Sequence, residues 1–189
     1  ERGGNWSCGA TAWSGTFVTD SIIQNFQSGI TYREFTRGSE VREIRSDAYT
    51  ATPVVINCTV TDIDRGDTDD HADVYQFHNY GDPLENIMIY GLRAYDVGAQ
   101  GIFAKDGPIV EGAALVNILI DRMDNDPVTY LSQWDIPANH VLLWHVTISR
   151  QNFLWRRDAS QIQNFTVRGC VFHKFQLNTG ASYDDAWFE

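Results

Sequence analysis

Asn86-Ile87-Met88-Ile89-Tyr90-Gly91-Leu92 is the stretch on which the fold turns. Its apolar residues alternate with a period of two, the spacing of a β-strand with one buried side. The phrase returns as Asn117-Ile118-Leu119-Ile120-Asp121-Arg122-Met123 and as Asn164-Phe165-Thr166-Val167-Arg168-Gly169-Cys170. Looser copies are Pro53-Val54-Val55-Ile56-Asn57-Cys58-Thr59-Val60 and Val141-Leu142-Leu143-Trp144-His145-Val146-Thr147-Ile148. Aligning the five places Cys58, Leu92, Met123, Val146 and Cys170 in one column. A second column holds Val55, Ile89, Ile120, Leu143 and Val167, and a third holds Val60, Ala94, Asn125, Ile148 and Phe172. The first column advances by 34, 31, 23 and 24 residues, and a sixth copy, Val18 to Ile23, stands 37 residues before the Cys58 copy. A strand phrase recurring every roughly 20–50 residues marks a solenoid, in which each repeat buries its apolar side against its neighbours.

Other segments fill the turns of such a solenoid. Ile30 to Phe35 and Val41 to Ile44 alternate and read as the second and third strands of the first full turn. Val74 to His78 is a strand, with counterparts at Gly101 to Asp106, Thr129 to Asp135 and Asn152 to Asp158, each of which closes on a polar cluster ending in Asp. Pro83, Pro108, Pro127 and Pro137 fall between phrases, where a missing N–H is tolerated. No amphipathic helix pattern of useful length appears, which disfavours an α/β fold, and repetition in columns disfavours a sandwich. The expectation is an all-β parallel β-helix of about five to six coils over residues 17–177. Residues 1–16 would form an N-terminal segment or cap. Residues 178–189 would form a tail or cap without a strand phrase.

With 189 residues, 43% hydrophobic and 13% aromatic, the chain has the composition of a folded domain. Its 25 acidic and 14 basic residues leave a net charge of −11, which speaks against nucleic acid or an anionic membrane surface as partner. The same charge suits an extracellular protein or Ca²⁺ binding, and a local basic patch still admits an acidic glycan. No apolar run is long enough to span a bilayer, and no apolar segment of signal-peptide type follows Glu1-Arg2-Gly3-Gly4. The three cysteines, Cys8, Cys58 and Cys170, are an odd number and make no complete internal disulfide set. Four rungs at about 4.8 Å separate Cys58 from Cys170, roughly 19 Å, beyond the Cα reach of about 7 Å for a disulfide. Both therefore read as packing residues. Of the formal glycosylation acceptors, Asn57 and Asn164 lie inside strand phrases and read as turn or ladder residues.

The pairs Asn57-Cys58, Gly91-Leu92 and Gly169-Cys170 set a small or Asn residue before a buried apolar one. In these the chain resembles the right-handed parallel β-helix of the pectate-lyase-like superfamily, from about Phe17 to Leu177. The resemblance implies a secreted or cell-surface protein that engages a polysaccharide along its stacked strands, as a polysaccharide lyase or a glycoside hydrolase. The paired and tripled aspartates of polygalacturonases are missing. The alternative is a non-catalytic structural, adhesin or spike-type solenoid that binds glycan or self-associates through its ends.

Candidate residues follow from residue type. His71 and Asp73 share one strand face and suit acid–base work, with Gln76 and His78 as hydroxyl ligands. Lys105, Arg156 and Arg157 close neighbouring strands and suit a lyase that abstracts a proton beside a uronate carboxylate and steadies the enolate. Gln133, Trp134 and Trp155 would add polar and stacking contacts to sugar. Asp67, Asp69 and Asp70, in an acidic run from Asp62 to Asp73, are the candidate Ca²⁺ ligands, although they match no EF-hand or nonapeptide pattern. His145, between Leu143 and Val146, reads as a buried or half-buried structural histidine.

Overall fold

The computed structural model describes residues 17–32, 34–63, 72–78, 82–98, 100–104, 109–122, 132–155, 162–176 and 182–188. Among them every regular element is a strand. The early ones are short: β1 (Phe17–Thr19), β2 (Ile22–Gln24), β3 (Ile30–Thr31), β4 (Phe35–Arg37), β5 (Glu40–Ile44), β6 (Tyr49–Thr50), β7 (Val54–Ile56), β8 (Thr59–Ile63) and β9 (Asp73–Gln76). The later ones lengthen: β10 (Leu84–Tyr90), β11 (Arg93–Val97), β12 (Gln100–Ala104), β13 (Val110–Arg122), β14 (Ser132–Trp134), β15 (Ala138–Trp155), β16 (Ile162–Arg168), β17 (Cys170–Gln176) and β18 (Ser182–Phe188).

Parallel pairing joins each early strand to the one three places on. A first ladder runs β1, β4, β7, β10, β13, β15, β16. A second runs β2, β5, β8, β11, β13, β15, β17. A third runs β3, β6, β9, β12, β14 and the end of β15. The three ladders form one strongly curled sheet, all parallel except for β18. Parallel neighbours cannot be joined by a tight hairpin, so the chain travels around the sheet before it returns one rung on.

The corner between the first and second ladders shows how the sequence makes this path. Register places Asp20, Gly38, Asn57, Gly91, Asn117, His145 and Gly169 in one column, and all seven have φ between 50° and 69°. The left-handed conformation turns the chain after a strand, and Gly, Asn and Asp adopt it at least cost. Asn86, Gly112, His140 and Asn164 repeat the device one corner earlier, and Asn25, Glu43, Asp62 and Asp96 one corner later. A Cβ on Gly91 would overlap Asn57 Oδ1, and one on Gly169 would overlap the His145 ring. The glycines thus make room for the side chain stacked on them.

Inside the curl, Val18, Thr36, Val55, Ile89, Leu115, Leu143 and Val167 form one inward column. Across the corner lie Ile23, Val41, Val60, Ala94, Ile120, Ile148 and Phe172. Aromatic packing continues at the third ladder, where ring centroids stand 4.7 Å apart for Tyr75–Phe77 and 5.0 Å for Phe77–Trp134.

Three expectations are corrected. Ile118, not Met123, stands between Leu92 and Val146, and Ile120, not Asn125, follows Ala94; the Asn117 phrase is displaced by five residues. The 37 residues between Val18 and Val55 hold an extra strand, β4, whose inward residue is Thr36; Phe35 belongs to it and not to the strand at Ile30. The final segment, expected without a strand, forms β18, which pairs antiparallel with β17 from Cys170–Phe188 to Gln176–Ser182 and occupies its outer edge. Cys58 and Cys170 are buried free thiols, and burial pushes the Cys170 thiol up from its ordinary value.

Candidate binding surface

Side chains between the inward columns point outward, and on the first ladder these are unusually apolar. One outward column reads Phe17, Phe35, Val54, Met88, Ala114, Leu142, Thr166. Its neighbour reads Thr19, Arg37, Ile56, Tyr90, Val116, Trp144, Arg168. Four consecutive rungs, those of β7, β10, β13 and β15, thus carry two apolar residues each and no charge. The strip is about 14 Å from its first rung to its last at the usual strand spacing, with Arg37 and Arg168 one rung beyond its two ends. Met88, Tyr90 and Trp144 are 47%, 43% and 44% exposed, so the strip faces solvent. An exposed apolar strip of this extent marks an interaction surface. Tyr90 and Trp144 share a column two rungs apart, about 10 Å. The Trp144 ring also lies 5.4 Å from that of His145.

The flanks are polar and ordered. Arg37 pairs with Asp20 at 3.8 Å in an exposed ion pair. On the second ladder the Arg93 guanidinium donates to the Asn117 carbonyl at 2.6 Å and to its side-chain oxygen at 3.2 Å, bracing the corner. Asn139 donates to Glu111 at 3.1 Å, and Asn164 to Asn139 at 3.0 Å, a ladder across three rungs. Where β7 and β10 begin, an open cleft of about 360 Å³ is lined by Tyr32, Glu34, Ala51, Pro53, Pro83, Leu84, Glu85 and Ile87. Its walls include two carboxylates, Glu34 and Glu85.

The sequence-derived candidates fare differently. Asp73 is not on a groove: it is fully buried in β9 beside Asp47, and burial followed by the Asp47 charge pushes its carboxyl well above the usual range. Trp134 is also fully buried, with its ring centroid 5.6 Å from that of Phe165, so it is a core residue and offers sugar no face. Gln133 is buried and donates to Asp135 at 3.4 Å. Gln76 is half-buried and pairs in register with Phe103; His78 is half-buried past the end of β9. Trp155 closes β15, where its backbone pairs with that of Trp134. His71, Lys105, Arg156, Arg157, Asp67, Asp69 and Asp70 lie outside the described residues. His145, expected inside, is exposed at a left-handed corner with φ 53°.

The outward alternates Met88, Tyr90, Val116 and Trp144 are what sequence reading missed. Their signal was present: in an ordinary half-buried strand those positions are polar. Comparison with protein-family models, curated proteins and solved structures finds no match to this chain.

Proposed function

We propose that the chain is an extracellular polysaccharide-engaging protein, built as a right-handed parallel β-helix of the pectate-lyase-like kind with seven turns. Its glycan would lie along the outer face of the first ladder. One observation carries the reading: four uncharged rungs with Tyr90 and Trp144 on one column, ending at Arg37 and Arg168. Sugar rings present apolar C–H faces that stack on aromatic side chains, and the two-rung interval is on the scale of a disaccharide. The terminal arginines suit the carboxylates of an acidic glycan. Glu34 and Glu85 in the adjoining cleft supply the paired carboxylates that a glycoside hydrolase uses. A lyase would draw instead on His71, Lys105, Arg156 and Arg157.

The test is titration of the purified chain with polygalacturonate, alginate, chondroitin and neutral glycans, followed by tryptophan fluorescence. Reducing ends and unsaturated-uronate absorbance are followed alongside. Binding of one acidic glycan, weakened about tenfold in Trp144→Ala as expected of an aromatic anchor, supports the reading. New reducing ends lost in Glu34→Gln or Glu85→Gln add hydrolysis; new absorbance adds elimination. A folded sample that binds no glycan refutes it.

A second reading has its own observation. Phe17 is 66% exposed and Ile22 56%, both on the first rung, and among the described residues no strand pairs with the free edges of β1 and β2. Open edges recruit other strands, so a non-catalytic solenoid that self-associates end to end predicts concentration-dependent assembly in sedimentation, abolished by Ile22→Lys.

A further inference from the structure

Asp47 and Asp73 hold the same position on successive rungs of the third ladder. Tyr49 pairs with Tyr75, and the Ala48 N–H donates to the Asp73 carbonyl at 2.8 Å. Gln100 is the register partner of Asp73 on the rung beyond. All three side chains are buried, Asp73 completely. Thr50 Oγ1 donates to Asp47 Oδ2 at 3.1 Å. Among the described residues neither carboxylate oxygen of Asp73 accepts from an amide or hydroxyl donor, and the group it meets is the like-charged carboxyl of Asp47. Two buried carboxyls that meet only each other require positive charge between them, either a shared proton or a cation.

The geometry selects among cations. Strands stack about 4.8 Å apart, and twice a Ca²⁺–oxygen distance of about 2.3–2.6 Å spans that gap. Carboxylates rooted on neighbouring rungs at that spacing can both reach one Ca²⁺ ion between them. Mg²⁺, at about 2.0–2.1 Å, with strict octahedral demands and reluctance to shed its waters, suits an enclosed interior site less well. The donors are oxygens only, as a hard cation prefers, and two negative charges balance two positive ones.

We propose that Asp47 and Asp73, with the side-chain amide oxygen of Gln100, form an interior Ca²⁺ site between rungs of the third ladder. The site is distinct from the acidic run at Asp67, Asp69 and Asp70 and is independent of the glycan reading.

The test uses the whole chain stripped with EGTA, titrated calorimetrically with CaCl₂ and separately with MgCl₂, and melted with and without each. Ca²⁺ is expected to bind and raise Tm, and Mg²⁺ to bind at least tenfold more weakly. Asp73→Asn and Asp47→Asn remove that Ca²⁺ equivalent and the Tm rise. In EGTA, Asp73→Asn melts no lower than the parent, because the repulsion is gone. Gln100→Glu, which adds a third carboxylate, binds Ca²⁺ more tightly yet melts lower in EGTA. Replacing Asp67, Asp69 and Asp70 together by Asn leaves the response in place. A parent Tm indifferent to Ca²⁺ overturns the proposal, and so does a Ca²⁺ response that survives in Asp47→Asn and Asp73→Asn.

Discussion

Gly91→Ala tests the stacked left-handed corner on which the curled sheet depends. Gly91 has φ +69°, and forcing Ala into that region costs about 1–2 kcal/mol. A second contribution comes from the rung before it, because the new methyl would overlap Asn57 Oδ1. Driving the Asn57 side chain off its rotamer adds about 1 kcal/mol. The expected loss is about 2–3 kcal/mol, a fall of roughly 1 M in the urea midpoint at an m-value of about 2–3 kcal/mol/M. Gly112→Ala is the control: its φ is +83°, but its Cβ would meet Asn86 Oδ1 only at 3.6 Å, an ordinary contact. It should show the conformational cost alone. Replacing Asn57 by Gly removes the obstructing side chain, so Gly91→Ala in that background should cost about as much as Gly112→Ala. The readout is urea unfolding followed by tryptophan fluorescence for the four variants and the parent. Gly91→Ala costing no more than Gly112→Ala, or Asn57→Gly giving no relief, would refute the stacking account.

Trp134→Ala should cost about 3–5 kcal/mol, because the ring is fully buried against Phe77 and Phe165. Trp134→Phe should cost much less, since the buried indole N–H has no acceptor among the described residues to lose; denaturant unfolding checks both. The raised carboxyl of Asp73 predicts a pH dependence in EGTA. Its folded state holds the proton to higher pH than the unfolded carboxyl, at about 3.9, so stability from this group is present in acid and lost as pH rises above that value. The slope is at most about 1.4 kcal/mol per pH unit, and Asp73→Asn should remove it. Equal slopes in parent and variant, measured from urea midpoints between pH 4 and 8, would contradict the assigned burial.

Much of the fold was legible because strand alternation and left-handed corners leave marks in the chain. Asn57, Gly91 and Gly169 each precede a buried residue, and those three copies fall into register as read. The Asn117 copy did not, for a physical reason. Each long strand has two left-handed corners five residues apart, as at Asn86 and Gly91. An Asn suits either, so the Asn117 phrase slides by five without violating alternation, and only pairing with β10 and β15 settles that Asn117 takes the Gly91 place. The β4 strand escaped notice because its inward residue, Thr36, and the buried Ser39 just past its corner are both polar.

The candidate residues were less legible. Period two tells which residues share a side of a strand, not which side is covered. In β12 both sides are buried, and in β9 Asp73, Val74 and Tyr75 are all buried, so Asp73 lost its expected exposure. In β10 the side opposite the core stays open, so Tyr90 gained an exposure that its apolar character did not suggest. By itself the sequence determined the all-β class, the strand phrases and the corners at Asn57, Gly91 and Gly169, since these rest on local backbone preference and short-range alternation. The tertiary structure alone decided register, which ladder is covered, and the approach of Asp47 to Asp73. Those depend on pairing between segments some 25 residues apart in the chain, where side chains meet only after the sheet has curled.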